Sequence, residues 1–314
     1  MTTYSILKKF IPRSVRSFFR DRDAIYQNLQ TAYQELQNSH QQTQVAYQEL
    51  QNSHQQTQVA YQELQDLYAI LGSSHRKLLG SDISTIKVIT DKPVAYDSPD
   101  HLEPWGTKQD NSINLKFNAK LAKWISLENL SLLDLGCSGG GAVKSILDFG
   151  CLAVGIEGSD YSKLRGRAEW STIPNNLFTS DVTEPFQVIN DATGSNLQFT
   201  VITAWEFIEH IRTDKLPNVF QNVSKHLAKN GVFIMSVSPN EDVINGVRLH
   251  QTVENKEWWL EECQRNRFVH HEQIVDYFGE DWVRSEPNAH GSFHLILTRV
   301  GEQIPYIKRL LSVS

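Results

Sequence analysis

The chain has few cysteines. Cys137, Cys151 and Cys263 are an odd number with no Cys-x-x-Cys spacing, which excludes a disulfide framework and a thiolate zinc site and suits a reducing compartment. Excess basic charge is also absent. The 30 Lys and Arg residues face 36 Asp and Glu, for a formal charge of −6 and a pI near 6.0, so a polyanionic partner such as nucleic acid is disfavoured. No apolar run approaches the roughly 18–20 residues of a membrane span, and the first residues lack the uninterrupted apolar core of a secretory leader. The expected location is the cytoplasm, or the inner face of its membrane. The length of 314 residues accommodates one catalytic domain of ordinary size plus an appendage.

The N-terminal third is low in apolar residues but high in order. Residues 32–45, AYQELQNSHQQTQV, recur unchanged at 46–59, and a third copy begins at Ala60. Each copy is two heptads long. With Tyr33 at position a, Leu36 falls at d, and the series continues through His40, Thr43, Tyr47, Leu50, His54 and Thr57 to Tyr61, Leu64, Tyr68 and Leu71. A 3.5-residue period predicts a left-handed coiled coil over 24–75, hence a homo-oligomer. The alternative is a polar, Gln-rich helix with a weak seam, because every second heptad offers His and Thr. Residues 1–23 interleave Ile6, Leu7, Phe10, Phe18 and Phe19 with Lys8, Lys9, Arg13, Arg16 and Arg20. This is the pattern of an interfacial helix able to lie on an anionic membrane. Residues 76–103, with Pro93 and Pro99, read as a linker.

From residue 104 the texture changes. Short apolar strands are expected near 131–136, 152–157, 176–180, 199–204 and 231–237, alternating with helices near 141–149, 161–169, 215–229 and 254–265. That alternation predicts an α/β fold with a doubly wound parallel sheet and a ligand at the carboxyl ends of its strands. The segments 282–286 and 292–298 are separated only by Pro287–Gly291, so a C-terminal antiparallel hairpin is expected at the sheet edge.

The first strand breaks into Asp134-Leu135-Gly136-Cys137-Ser138-Gly139-Gly140-Gly141 before a helix, a turn that brings backbone N–H groups close to a ligand. Glu157 ends the next strand, at the spacing of a carboxylate that accepts hydrogen bonds from a ribose. A nicotinamide site is the competing reading, but Ser138 stands where its middle glycine is required.

In order and spacing, residues 104–300 resemble a class I S-adenosylmethionine-dependent methyltransferase. Asp134 to Gly140 match that family's Asp-x-Gly-x-Gly-x-Gly motif with Ser138 for the middle glycine. The resemblance implies that Asp134, Gly136, Ser138, Gly140, Glu157, Gly158 and Trp205 hold the cofactor, that Glu157 binds its ribose, and that Asp181 contacts the adenine amine. It also implies a lid near Trp105-Gly106-Thr107 and Asp110-Asn111-Ser112.

After the fourth strand, Trp205-Glu206-Phe207-Ile208-Glu209-His210 lies where the sulfonium of the cofactor is expected. Its Glu-x-x-Glu-His pattern is similar to that of ubiquinone-biosynthesis O-methyltransferases and of small-RNA 2′-O-methyltransferases. The second group implies a divalent metal, Mg or Mn, on Glu206, Glu209, His210 and His250. Without a metal, His210 is the expected general base, with Glu206 and Glu209 beside it. Trp258 and Trp259 on a helix are candidates to stack on a sugar or to fill the core, whereas His270, His271, His290 and His294 read as surface or turn residues. The leading expectation is methylation of a hydroxyl on a sugar or glycan-like small-molecule acceptor. An RNA 3′-terminal ribose, or a scaffold with a relict domain, are the competing readings.

Overall fold

A computed structural model of the chain describes residues 12–79, 86–99, 112–285 and 289–305. Most of the basic leader's apolar residues, the lid expected at 105–107 and 110–112 except for Ser112, and residues 306–314 of the C-terminal tail expected over 301–314 lie outside the described residues. The chain divides into two compact units, Met1–Asp66 and Leu67–Ser314.

Helix α1 (Arg13–Leu79), of 67 residues, forms the described part of the first unit, continues past Asp66 and extends beyond both ends of the expected coiled coil. At about 1.5 Å per residue it is ~100 Å long. The polar heptads satisfy themselves along it: Thr43 and Thr57 each donate to a carbonyl one turn back, at 2.9 Å, and Gln48 Nε2 donates to Asn52 Oδ1 at 3.3 Å. The apolar heptads remain uncovered, with Tyr33, Leu36, Tyr47 and Leu50 all more than 60% exposed.

In the second unit the strands are β1 (Ile86–Thr90), β2 (Ser131–Leu135), β3 (Leu152–Glu157), β4 (Leu177–Thr179), β5 (Phe186–Asn190), β6 (Phe199–Trp205), β7 (Leu227–Val237), β8 (Val243–Ile244), β9 (Val247–Arg248), β10 (Phe268–His270) and β11 (Phe293–Arg299). The helices are α2 (Leu115–Ile125), α3 (Gly141–Asp148), α4 (Tyr161–Leu164), α5 (Leu216–His226), α6 (Lys256–Arg265) and α7 (Glu272–Phe278). Seven strands form one sheet in the order β10-β11-β7-β6-β2-β3-β4. The five from β7 to β4 run parallel, while β11 is antiparallel to both β7 and β10. This is the class I methyltransferase architecture expected from the sequence, with its antiparallel C-terminal strands.

Period-two patterning divides the core between the two faces of the sheet. On one side Leu133 and Leu135 of β2, Ile202 of β6 and Phe233 of β7 pack with Val219 and Phe220 of α5 and Trp259 of α6. On the other, Leu132, Val201 and Ile234 pack with Phe117 and Leu121 of α2, Val143 of α3 and Phe278 of α7.

Three expectations are corrected. The partner of β11 at the edge is β10, not 282–286: Trp282 is buried against Phe117 and Phe278, and its carbonyl accepts from Asn114 Nδ2 at 2.6 Å. That packing draws 282–285 over the sheet instead of along it. The helix expected over 161–169 ends at Leu164, where Gly166 and Ala168 take positive φ, and a short 3-10 turn over Ala168–Ser171 follows. Finally, the 76–103 linker contains β1, which pairs with β5 from Ile86↔Asn190 to Thr90↔Phe186.

Gly155, in β3, lies directly beneath the glycine-rich turn. A Cβ there would stand 2.7 Å from Cys137 Sγ and 2.8 Å from Leu177 Cδ2. Gly155→Ala is therefore expected to cost about 1–3 kcal/mol through overpacking, read as a fall of several degrees in the thermal midpoint by circular dichroism. An unchanged midpoint would show that the turn moves freely.

Candidate active site

The carboxyl ends of β2, β3, β4 and β6 open onto one cavity of about 460 Å³. Its floor is the turn after β2. Gly136 has φ +70°, and a Cβ there would run into the ring of Phe207, so only glycine lets the chain reverse so close to the loop after β6. The N–H groups of Gly136 and Cys137 both donate to the carbonyl of Ile156, at 2.8 and 3.1 Å. Ser138 is left-handed at φ 50°; its N–H donates to Glu157 Oε2 at 2.8 Å, and its carbonyl accepts from Trp170 Nε1 at 2.8 Å. Glu157 Oε1 accepts from the Ser159 N–H at 3.3 Å. Asp181 Oδ1 accepts from the N–H and hydroxyl of Thr183, at 2.9 and 2.7 Å.

Gly136, Ser138, Glu157, Gly158, Asp181 and Trp205 line the cavity. Asp134 and Gly140 do not. Asp134 is buried beneath the turn and accepts from Thr203 Oγ1 at 2.6 Å. Its pKa rises to about 7, first through burial, with the Thr203 hydrogen bond opposing and the charge of Glu157 adding to the rise. Gly140, at φ +86°, is the residue from which α3 starts. Both shape the turn from behind.

A strap over the Asp181 side of the cavity was not expected from the sequence. After β1, the carbonyl of Lys92 accepts from the Asp181 N–H and Ala95 N–H donates to the Gly158 carbonyl, each at 2.8 Å. This places Ala95, Asp97, Ser98 and Pro99 in the cavity wall. The signal that could have found it is the alternating Ile86-Lys87-Val88-Ile89-Thr90 run, which the neighbouring prolines masked.

Past Trp205 the chain enters a strained loop. Glu206 takes a left-handed φ of 47°, its N–H donating to Ser236 Oγ and its Oε2 accepting from Ser292 Oγ, both at 2.9 Å. Non-glycine residues in that region are held by their surroundings and cluster at functional sites. Glu209 lies in a 3-10 turn over Ile208–His210 and is fully buried. Its Oε1 accepts from Ser238 N–H at 2.9 Å, and its carbonyl accepts from the N–H groups of Gln251 and Thr252, at 2.8 and 3.0 Å. Glu209 thereby brings the 249–252 segment over the cavity. The rings of His210 and His250 meet nearly perpendicular, 4.7 Å between centroids, and His250 Nδ1 donates to the Asn240 carbonyl at 2.6 Å.

Burial raises the Glu209 pKa to about 8, with the negative charge of Glu206 adding and His210 opposing. Burial also raises Glu206 and lowers His250. At neutral pH Glu209 keeps its proton and His250 is neutral.

The structure thus gathers Glu206, Glu209, His210 and His250 around the loop after β6. Among the described residues no three His, Cys, Asp or Glu side chains converge to hold a metal ion. Glu209 Oε1 and His250 Nδ1 are already engaged by the backbone. Glu206 Oε1 and Glu209 Oε2 are buried without hydrogen-bond partners among the described residues.

The tryptophan pair is also corrected. Trp259 is fully buried in the core, and Trp258 packs under Arg265; neither lines the cavity. His294 is no surface residue: it stacks on Trp282 at 4.0 Å, and burial lowers its pKa to about 4.

With this geometry in view, comparison with known proteins is direct. A family described as methyltransferase domain matches residues 108–281, more than half of the chain. The chain belongs to this family. It is a class I S-adenosylmethionine-dependent methyltransferase. No curated protein matches it. Among solved structures it aligns with an S-adenosylmethionine-dependent methyltransferase from Clostridium acetobutylicum (14% identity, TM-score 0.41, 62% of this chain and 94% of that one). It also aligns with the CcbJ methyltransferase from Streptomyces caelestis (11%, 0.44, 67% and 98%). A third is magnesium protoporphyrin IX methyltransferase from Synechocystis (13%, 0.40, 65% and 95%). Among the described residues of the methyltransferase, no helix is long and apolar enough to cross a membrane.

The raised pKa of Glu209 has a consequence for stability. The folded state holds this proton up to about pH 8, whereas an exposed glutamate releases it near 4.5. The folded state therefore binds the extra proton in that window, and stability falls as pH rises through it. Glu209→Gln removes the term. The thermal midpoint of the wild type is expected to drop by a few degrees relative to Glu209→Gln as pH rises from about 6 to about 8.5. Parallel pH profiles would mean that Glu209 is ionised throughout.

Proposed function

We propose that this methyltransferase transfers the methyl group of S-adenosylmethionine to a hydroxyl of a sugar or glycan-like acceptor. The observation that carries the reading is the polar corner beyond Trp205, where Glu206, His210, Asp242, His250 and Gln251 line the cavity together. Such a corner offers hydrogen bonds to several hydroxyls and a base for one of them. S-adenosylmethionine supplies an electrophilic methyl whose C–S bond breaks as the new C–O bond forms. His210 receives the hydroxyl proton, and Glu206 stabilises the resulting imidazolium. Glu209, protonated, holds the 249–252 segment so that His250 closes the corner. Alignment of acceptor and methyl group within the closed cavity supplies the rest of the rate.

An RNA acceptor finds no support in the charge. Of the cavity-lining cations, Arg212 is paired with Asp214 and Lys215 with Glu184, each at 3.0 Å, and the chain is acidic overall.

The acceptor is tested by mass spectrometry of glycans and lipid-linked intermediates in cells with and without the gene. Loss of a one-methylene mass increment is expected, restored by the wild type and not by His210→Ala. An unchanged glycan profile would remove the sugar assignment.

We propose further that α1 pairs with α1 of a second copy through its Tyr and Leu heptad positions. The support is the regular row of exposed Tyr26, Leu29, Tyr33, Leu36, Tyr47 and Leu50, since an isolated polar helix gains little from propensity alone. Sedimentation equilibrium of the full chain is expected to show an oligomer that Leu29→Glu, Leu36→Glu and Leu50→Glu together convert to monomer. A monomeric wild type would end the proposal.

A further inference from the structure

The geometry points to Arg284 as the residue that binds the carboxylate of the amino-acid end of the cofactor, with Ser112 beside it. The inference rests on the S-adenosylmethionine reading of the cavity and deepens it, since Arg284 was not assigned to the cofactor by sequence and Ser112 only as part of a lid.

The order of strands fixes the two ends of the cavity. In the sequence β6-β2-β3-β4, Glu157 ends β3 and Asp181 follows β4, so the ribose and adenine lie on that side of the turn at Gly136. The amino-acid end must point the other way, towards β6 and Trp205. There α2 sets Phe117 edge-on against Trp205, 5.0 Å between centroids. Ser112, just before α2, lines the cavity at this corner, and its hydroxyl stands 3.4 Å from Arg284 Nη2.

Arg284 is anchored for the task. Asn114 Nδ2 holds the carbonyl of Trp282, and His294 Nε2 donates to the carbonyl of Arg284 at 2.6 Å. His294 is neutral above about pH 4, so it fixes the backbone without opposing the guanidinium. The Nε of Arg284 is buried, and burial lowers its pKa from so high a starting value that it remains a cation.

Charge selects it over its neighbours. The cavity wall carries Asp97, Glu157, Asp181, Glu206 and Asp242, all unfavourable for a carboxylate. Of the lining arginines and lysines, Arg212 and Lys215 hold Asp214 and Glu184 at the rim. Arg284 stands at the correct end with its Nε buried, and a guanidinium pairs with a carboxylate through two parallel N–H donors.

The test compares two ligands with the full chain by titration calorimetry. S-adenosylhomocysteine carries the amino-acid tail, and 5′-methylthioadenosine presents the same nucleoside and sulfur without it. Arg284→Gln is expected to weaken S-adenosylhomocysteine by about 10- to 100-fold, the loss typical of a charge-assisted pair, and to leave 5′-methylthioadenosine within about twofold. Arg284→Lys should recover part of the preference, which a purely structural role would not do. Equal losses for both ligands, or none for S-adenosylhomocysteine, would overturn the assignment. A wild type that binds neither ligand would instead overturn the cofactor reading on which it rests.

Discussion

The structure depends on one hydrogen bond between neighbouring strand ends. Glu157 accepts from the main chain of Ser138, so the carboxylate at the tip of β3 holds the turn that leaves β2. Gly136 makes the turn possible, Gly155 gives it room from below, and Trp170 fastens it from the side by its bond to the Ser138 carbonyl. A cofactor placed there meets donors already in position, so little ordering is left to oppose binding. The same carboxylate stands ready for ribose hydroxyls.

Buried carboxyls set the electrical character of the rest. Asp134, Glu157, Glu206 and Glu209 are crowded at the ends of three adjacent strands, and the protein manages them by protonation and by backbone N–H donors. Asp134 and Glu209 have pKa values lifted into or above the neutral range. Glu209 is therefore a structural group: its side chain binds Ser238 and its carbonyl binds 251 and 252. Glu206 and His210 are left facing the cavity, with His250 alongside. Burial raises both carboxyls, and the fully buried Glu209 becomes the neutral brace.

Much of this was legible beforehand. The strand-to-helix turn and Glu157 point to a nucleoside site because their spacing reflects the fixed rise of a strand and the length of a crossover, and the family resemblance adds Asp181 to them. The parallel order and the antiparallel C-terminal strands followed from alternation. Errors fell where packing overrules local pattern. The run around Trp282 looks like a strand, yet its tryptophan gains more by filling the gap between Phe117 and Phe278. Trp258 and Trp259 look like a sugar platform, yet α6 turns Trp259 into the core. The 86–90 strand was hidden because its partner, β5, lies a hundred residues away and carries no signal of pairing.

The sequence by itself determined the fold class, the cofactor class and the long amphipathic repeat of α1, because each is written in short-range periodicity and spacing. Only the tertiary structure decided what the polar residues do. It brought His250 to His210, protonated Glu209 beside Glu206, laid the 91–99 segment along the adenosine end and set Arg284 at the opposite one. These outcomes depend on burial and on distances between residues far apart in the chain, and those quantities exist only once the sheet has formed.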